Sequence, residues 1–364
     1  MKRLGLFLPS LEGGGAERVM VTLANEFTAR GYQVDLVLKR ATGPLLSDVS
    51  EDVRVVDLAT ERLTASLPGL VSYLRRERPR AILTALNNPM VLSAIAVALA
   101  RSGTRVVVSI HNNVGKERAN SSRRDLFSFL FAPCLKRCHK IVAVSEGVKD
   151  NLATLTRIPR KRITTIYNPI VTSQLLLLKD EAPTHPWLRD HSVPVILTAG
   201  RLTAQKDFAT LIEAFALVRR SQNVRLVILG EGEQRRELEA RIAHLGLVDE
   251  ILLTGYVRNP YVWMKNSSLF VLSSRWEGFG NVLVEAMACG TPVVATDCAS
   301  GPAEILENGK WGRLVPVGNA QALSMAIAKT LADRFGEHAT ERAMHFTAAK
   351  ATTAYLQLLT GEPN

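Results

Sequence analysis

Cysteine is scarce in this 364-residue chain: Cys134, Cys138, Cys289 and Cys298 are the whole complement. They make no zinc-finger spacing with nearby histidines, and they are too few for a disulfide scaffold, so a reducing cytoplasm fits best. Aromatic residues make up only 6% of the chain. No Asp-x-Asp pair occurs to suggest a seat for a divalent cation, and no Walker A sequence is present. Long apolar runs are missing as well. Ala81 to Ala100 is free of charge, yet Asn87-Asn88-Pro89 breaks it where an unsatisfied turn in lipid is costly. Leu4 to Leu8 follows Lys2-Arg3 as a signal peptide would, but Pro9, Glu12 and three glycines end it too soon. What is present, 47% apolar and 22% charged residues, is the composition of a globular protein with two to three domains.

The net charge of +11 is unevenly placed, with 27 Lys and Arg against 15 Asp and Glu in residues 1–180, and 18 against 19 in residues 181–364. The split points to two domains, the first facing an anion: a phosphorylated substrate, a phospholipid surface or nucleic acid. No recognisable nucleic-acid motif accompanies the charge, which weighs against the last.

Short β-branched apolar runs alternate with amphipathic stretches throughout, the pattern of βαβ units and parallel sheets. Strands are expected at Leu4–Leu8, Val34–Leu38, Val53–Asp57, Ala81–Ala85, Arg105–Ile110 and Ile141–Val144. After Asn168-Pro169 and a polar stretch from Lys179 to Pro194 the pattern restarts, with strands at Val195–Thr198, Arg225–Leu229, Ile251–Thr254, Leu269–Leu272, Pro292–Ala295 and Arg313–Val315. The economical architecture is α/β: two Rossmann-like, doubly wound domains facing a cleft that serves as the ligand site.

Three glycines follow the first strand in Glu12-Gly13-Gly14-Gly15-Ala16-Glu17-Arg18, where a following helix would favour an anion at its amino end. Arg18 stands where a dinucleotide fingerprint has its third glycine, so a plain tight turn explains the cluster about as well. Gly200-Arg201-Leu202-Thr203-Ala204-Gln205-Lys206 leaves a strand's carboxyl end with two cations suited to a diphosphate, or simply a solvated basic turn.

The sharpest signal is Glu277-Gly278-Phe279-Gly280-Asn281, a turn framed by two glycines that opens a helix to about Cys289 with Gly290 as its cap. Glu277 and Glu285 sit before and inside that helix, both able to face one cleft, and a glycine-framed turn between paired carboxylates is hard to explain as packing. His111 ends a strand at the edge where α/β ligands bind.

These motifs, with Gly290-Thr291-Pro292-Val293-Val294-Ala295, resemble the retaining GT-B glycosyltransferases of carbohydrate family four, the glycosyl transferases group one, over nearly the whole chain. The resemblance implies a first domain over residues 1–175 on the acceptor side, completed by a returning C-terminal helix at about 345–364, and a donor domain over 190–344. It implies that Arg201 and Lys206 hold the diphosphate of a nucleotide sugar with Gly14, Gly15, Gly278, Phe279, Gly280 and Asn281. Glu277 and His111 would attend the transferred sugar as catalytic residues, Glu285 the ribose, and Tyr256 and Val257 the nucleobase. Ala299 to Ile305 resembles enzymes of bacterial polysaccharides and lipid-linked oligosaccharides that use UDP-sugars. The expected activity is therefore metal-independent, retaining transfer from a UDP-sugar, with no cofactor, to a lipid-linked or polysaccharide acceptor. A GT-B sugar-nucleotide epimerase is the enzymatic alternative. The chain departs from the family at Asn168-Pro169-Ile170-Val171, where many relatives carry an acid.

A last expectation concerns docking on an anionic membrane at the inner face of the cell membrane. Arg123, Arg124, Phe127 and Phe131 lie in a stretch that combines cations with phenylalanines, as an interfacial helix does. The same spacing also suits an ordinary core-facing helix.

Overall fold

The computed structural model describes residues 2–112, 126–333, 335–336 and 338–361, with the backbone alone for residues 126–130. The chain divides into two units, residues 1–169 with 348–364 and residues 170–347. In the first, strands β1 (Arg3–Leu8), β2 (Gln33–Leu38), β3 (Arg54–Asp57), β4 (Ala81–Ala85), β5 (Arg105–Ile110), β6 (Lys140–Ala143) and β7 (Ile163–Thr165) form one sheet in the order β3-β2-β1-β4-β5-β6-β7. Every pairing is parallel. Sheets covered on both faces bury both sides of each strand, which is why Leu4, Leu6, Phe7 and Leu8 form a continuous apolar run and are all fully buried.

In the second unit β8 (Val195–Ala199), β9 (Arg225–Leu229), β10 (Ile251–Gly255), β11 (Leu269–Leu272), β12 (Val293–Thr296) and β13 (Arg313–Val315) are ordered β10-β9-β8-β11-β12-β13. These pairings are parallel too. Each sheet reverses its winding beside its own first strand, at β1/β4 and at β8/β11, and ligands of such sheets bind at the carboxyl ends there. The expected fold class is borne out, with one strand, the three-residue β7, added to those anticipated.

The last helix, Ala348–Thr360, belongs to the first unit. Tyr355 is fully buried there, and its hydroxyl lies 2.7 Å from Ser109 Oγ on β5. Arg80 and Arg105 both donate to the Thr360 carbonyl, placing cations at the negative end of the helix dipole. The returning helix is therefore as expected.

The polar stretch after Asn168 is structured within the second unit. His185 caps the short helix Pro186–Arg189 by accepting from the Trp187 N–H at 3.2 Å, and its ring packs 5.2 Å from that of Trp263. Lys179 donates to the Ala288 carbonyl at 3.3 Å, a cation at the end of the helix Asn281–Ala288.

Candidate active site

At the β8/β11 reversal, two loops leave adjacent parallel strands and are fastened together. The Arg275 N–H donates to the Gln205 carbonyl at 2.8 Å, and Gln205 Nε2 donates to the Trp276 carbonyl at 2.8 Å. Ser273 Oγ donates to the Lys206 carbonyl at 2.7 Å. Arg275 grips the buried Asp207 carboxylate through Nε at 3.0 Å and a terminal nitrogen at 3.2 Å, and that contact raises the arginine's own pKa. Asp207 is itself in the left-handed region at φ 49°, a conformation that costs a non-glycine residue about 1 kcal/mol or more.

The result of this bracing is one short contact. Lys206 Nζ lies 2.5 Å from Glu277 Oε1, which also accepts from Ser274 Oγ at 2.6 Å. Lys206 is 17% exposed and Glu277 8%, so the pair sits at the inner end of an accessible surface rather than in bulk water. Gly200 makes room for the lysine stem, since a Cβ there would come within 3.2 Å of Lys206 Cε. Arg201 is exposed one residue further on. The structure thus brings together Lys206 and Glu277, which the sequence separates by 71 residues.

Glycines that the sequence reading passed over hold this loop in place. A Cβ on Gly230 would lie 2.0 Å from the Gly200 carbonyl oxygen, and one on Gly232 would lie 2.4 Å from that of Leu202. The Gly200 and Leu202 N–H groups donate to Leu229 and Glu231 at 2.9 Å each. A Gly-x-Gly pair immediately after β9 was the available signal. Gly301 plays the same part for the next loop: its Cβ would fall 1.8 Å from the Phe279 oxygen.

Gly280, at φ 102° and ψ 54°, turns the chain into the helix Asn281–Ala288, so a β-carbon there is disfavoured by backbone conformation alone. Asn281 is half-buried, Gly278 and Phe279 are buried, and Glu285 is 7% exposed inside the helix. Cys289 and Cys298 are both pushed up to about 12, first by burial and then by the charges of Glu285 and Glu277 respectively. Neither thiol ionises at neutral pH, so neither is a nucleophile here. After β10, Tyr256 is 56% exposed and Val257 is half-buried.

In the first unit the β1 loop ends at Gly14, which precedes the helix Gly15–Ala29. The Gly14 N–H donates to the Glu17 carboxylate at 3.0 Å, so the chain's own anion already occupies the amide expected to meet a phosphate. At the end of β5, His111 is 8% exposed with its Nε2 unpartnered among the described residues. Burial lowers its pKa to about 4, so the ring is neutral at physiological pH. Between the two, Leu86 follows β4 at φ 72° and ψ 157°, backbone that is essentially glycine territory.

One expectation is corrected. Phe131 is 3% exposed, so its ring is buried and is not presented at the surface as a membrane-docking group would be. It lies in the helix Leu126–Arg137. The backbone of Phe127 is in that helix, while Arg123 and Arg124 lie outside the described residues.

Comparison with known proteins fits this geometry. The family described as Glycosyl transferases group 1 matches residues 184–350, and Glycosyltransferase Family 4 matches residues 13–174. Among relatives, the N-acetylgalactosamine-N,N'-diacetylbacillosaminyl-diphospho-undecaprenol 4-alpha-N-acetylgalactosaminyltransferase of Campylobacter jejuni is 30% identical over 99% of this chain and 100% of its own length. The lipopolysaccharide core biosynthesis glycosyltransferase LpsE of Rhizobium meliloti is 27% identical over 96% and 97%. Anabaena Alr3699/HepE, solved in complex with UDP, matches at TM-score 0.82 and 21% identity over all of both chains. The chain is a GT-B glycosyltransferase and belongs to the family 4, group 1 glycosyltransferases.

Proposed function

We propose that the chain is a retaining enzyme that transfers a sugar from a UDP-sugar to a lipid-linked or polysaccharide acceptor in cell-envelope glycan synthesis. The observation that carries this reading is the braced Lys206–Glu277 pair beside the Gly278–Gly280 turn at a switch point. A leaving diphosphate develops charge, and what stabilises it is fixed positive charge rather than a strong base. Lys206 and the exposed Arg201 supply the charge, and the turn and its helix present a dipole of the right sign. Glu277 faces the transferred sugar, Glu285 the ribose, and Tyr256 with Val257 the base. His111, neutral with an unpartnered nitrogen, bonds a sugar hydroxyl. In this reading two cations take the place of a divalent metal, and residues 1–175 with about 345–364 serve the acceptor while 190–344 bind the donor.

The envelope-glycan setting is supported by what the relatives' names record, a diphospho-undecaprenol acceptor in one and lipopolysaccharide core synthesis in the other. UDP is supported by the HepE complexes with UDP and UDP-glucose. No helix among the described residues is long and apolar enough to cross a membrane. We assign membrane contact instead to basic residues. Arg123 and Arg124 are two of them; the others are the exposed Arg78, Arg101 and Arg157, each of which ends a helix in the left-handed conformation where glycine is cheaper. No nucleic acid enters this reading.

The test is a screen of UDP-sugars with and without a polyprenyl-diphosphate acceptor, with NMR of the first-formed linkage. Acceptor-dependent transfer with the donor's anomeric configuration is expected. Inversion, or epimerisation without transfer, overturns the reading. Co-sedimentation with anionic liposomes should fall with salt and with Arg123→Glu/Arg124→Glu.

A further inference from the structure

The chain passes between its two units at residues 169–170 and again at 347–348. Both crossings converge on one residue. The Phe346 carbonyl accepts from the N–H groups of Ile170 and Val171, each at 3.0 Å, and Val171 forms a parallel bridge with Thr347. Phe346 is 1% exposed. Its ring meets that of Phe279 at 5.3 Å between centroids and 72° between planes, an edge-to-face contact. Phe279 is the central residue of the Gly278–Gly280 turn.

The contact is clamped on its far side. The Arg342 guanidinium lies 4.8 Å over the Phe346 ring and donates to the carbonyls of Ile305 and Glu304 at 2.9 Å each. Those carbonyls belong to the helix Pro302–Ile305, which begins at Gly301, the residue packed against the Phe279 oxygen. Phe279 is therefore held from two directions by groups that Arg342 ties together. With no slack in such packing, a shift of the turn is passed to Phe346.

We infer that Phe346 is a positioning residue that couples occupancy of the donor site to the paired chain crossings at 170–171 and 346–347. This rests on the reading of the Gly278–Gly280 turn as part of the donor diphosphate site. Linkage is reciprocal: if donor binding tightens the crossings, loosening them weakens the donor by the same factor.

Hydrogen exchange of the full chain with and without UDP tests the inference. In the wild type, UDP should slow exchange both in the segment around 278–281 and at the Ile170 and Val171 amides. In Phe346→Ala the first protection should persist and the second should vanish. UDP affinity should fall about 3- to 10-fold, the range expected for one aromatic pair. Phe346→Leu keeps an apolar side chain without the aromatic edge and carries the comparison if the alanine variant unfolds. A purely structural role for Phe346 would lower thermal stability while leaving the UDP-induced protection at 170–171 intact, and that result overturns the inference. So does protection at 278–281 without any at 170–171 in the wild type, an outcome that leaves the donor reading standing. Absence of protection in both segments of the wild type refutes the donor reading itself, and the coupling with it.

Discussion

Replacing Lys206 with alanine leaves the Glu277 carboxylate, 8% exposed, still accepting from Ser274 Oγ. Breaking one side of a buried ion pair costs about 3–5 kcal/mol, because the surviving charge stays desolvated. Here the loss should sit at the low end, about 3 kcal/mol, since the lysine reaches solvent and the serine still donates. Glu277→Gln removes the charge but keeps the shape, and by itself should cost about 1–2 kcal/mol. Combined with Lys206→Ala it removes the orphaned anion, so the double variant should recover about 1–2 kcal/mol relative to Lys206→Ala alone. Turnover should behave differently. Losing a charge that stabilises a leaving diphosphate raises the barrier by about 3 kcal/mol, more than a hundredfold in kcat, and neutralising Glu277 restores none of it. Glu277→Gln also frees Lys206, so its affinity for UDP should rise while its turnover falls. The assay is chemical denaturation followed by a probe in the second unit, beside steady-state kinetics and UDP titration of all four proteins. A double variant no more stable than Lys206→Ala would show that the 2.5 Å contact carries no energy. A double variant with wild-type turnover would remove Lys206 from the chemistry.

Acid stability should report His111. Burial holds its folded pKa at about 4 against 6.5 in the unfolded chain, so the unfolded state binds more protons between those values. That stability is fully present above pH 6.5 and falls on acidification to pH 4, by about 3 kcal/mol, and His111→Asn should flatten this part of a pH–denaturation profile. Gly301→Ala should cost about 2 kcal/mol or more and weaken UDP binding, because its Cβ would fall 1.8 Å from the Phe279 oxygen; unchanged affinity would detach that loop from the site. Transfer should survive EDTA without rescue by Mn²⁺ or Mg²⁺, as measured by sugar release; loss and rescue would assign the diphosphate to a metal.

Much of the fold was legible because doubly wound sheets write themselves as buried apolar runs at regular intervals. Glycine-framed turns were legible for a similar reason, as glycine is a local requirement of the backbone. What escaped depends on contacts made at long range. Nothing in Gly230 or Gly232 announces that another loop's carbonyl lies where a β-carbon would go. The Asp207–Arg275 pair spans 68 residues, and neither residue is unusual in its own neighbourhood. β7 has three residues and follows the basic run Arg160–Arg162, too little pattern for a strand to be read. Phe131 failed in another way. Its helix carries a spacing that packing and membrane insertion share, and only burial separates them.

The two switch points differ in how ready they are for an anion. At β8/β11 the supporting groups are tied into place: Gly230, Gly232 and Gly301 are fitted against backbone, Asp207 is locked by Arg275, and Lys179 caps the far end of the helix that starts in the site. Such bracing lowers the reorganisation needed when charge develops. At β1/β4 the Gly14 amide is occupied by Glu17, Leu86 is held in a costly backbone conformation, and His111, just past β5, keeps a nitrogen unpartnered among the described residues. Unmet hydrogen-bonding capacity and stored strain are what a ligand relieves on arrival. An anion entering here has first to displace Glu17, which costs binding energy, whereas a neutral sugar hydroxyl meets His111 without that penalty. These differences are the ones the proposed function asks for, with the donor diphosphate at the second switch point and a hydroxyl-bearing group at the first.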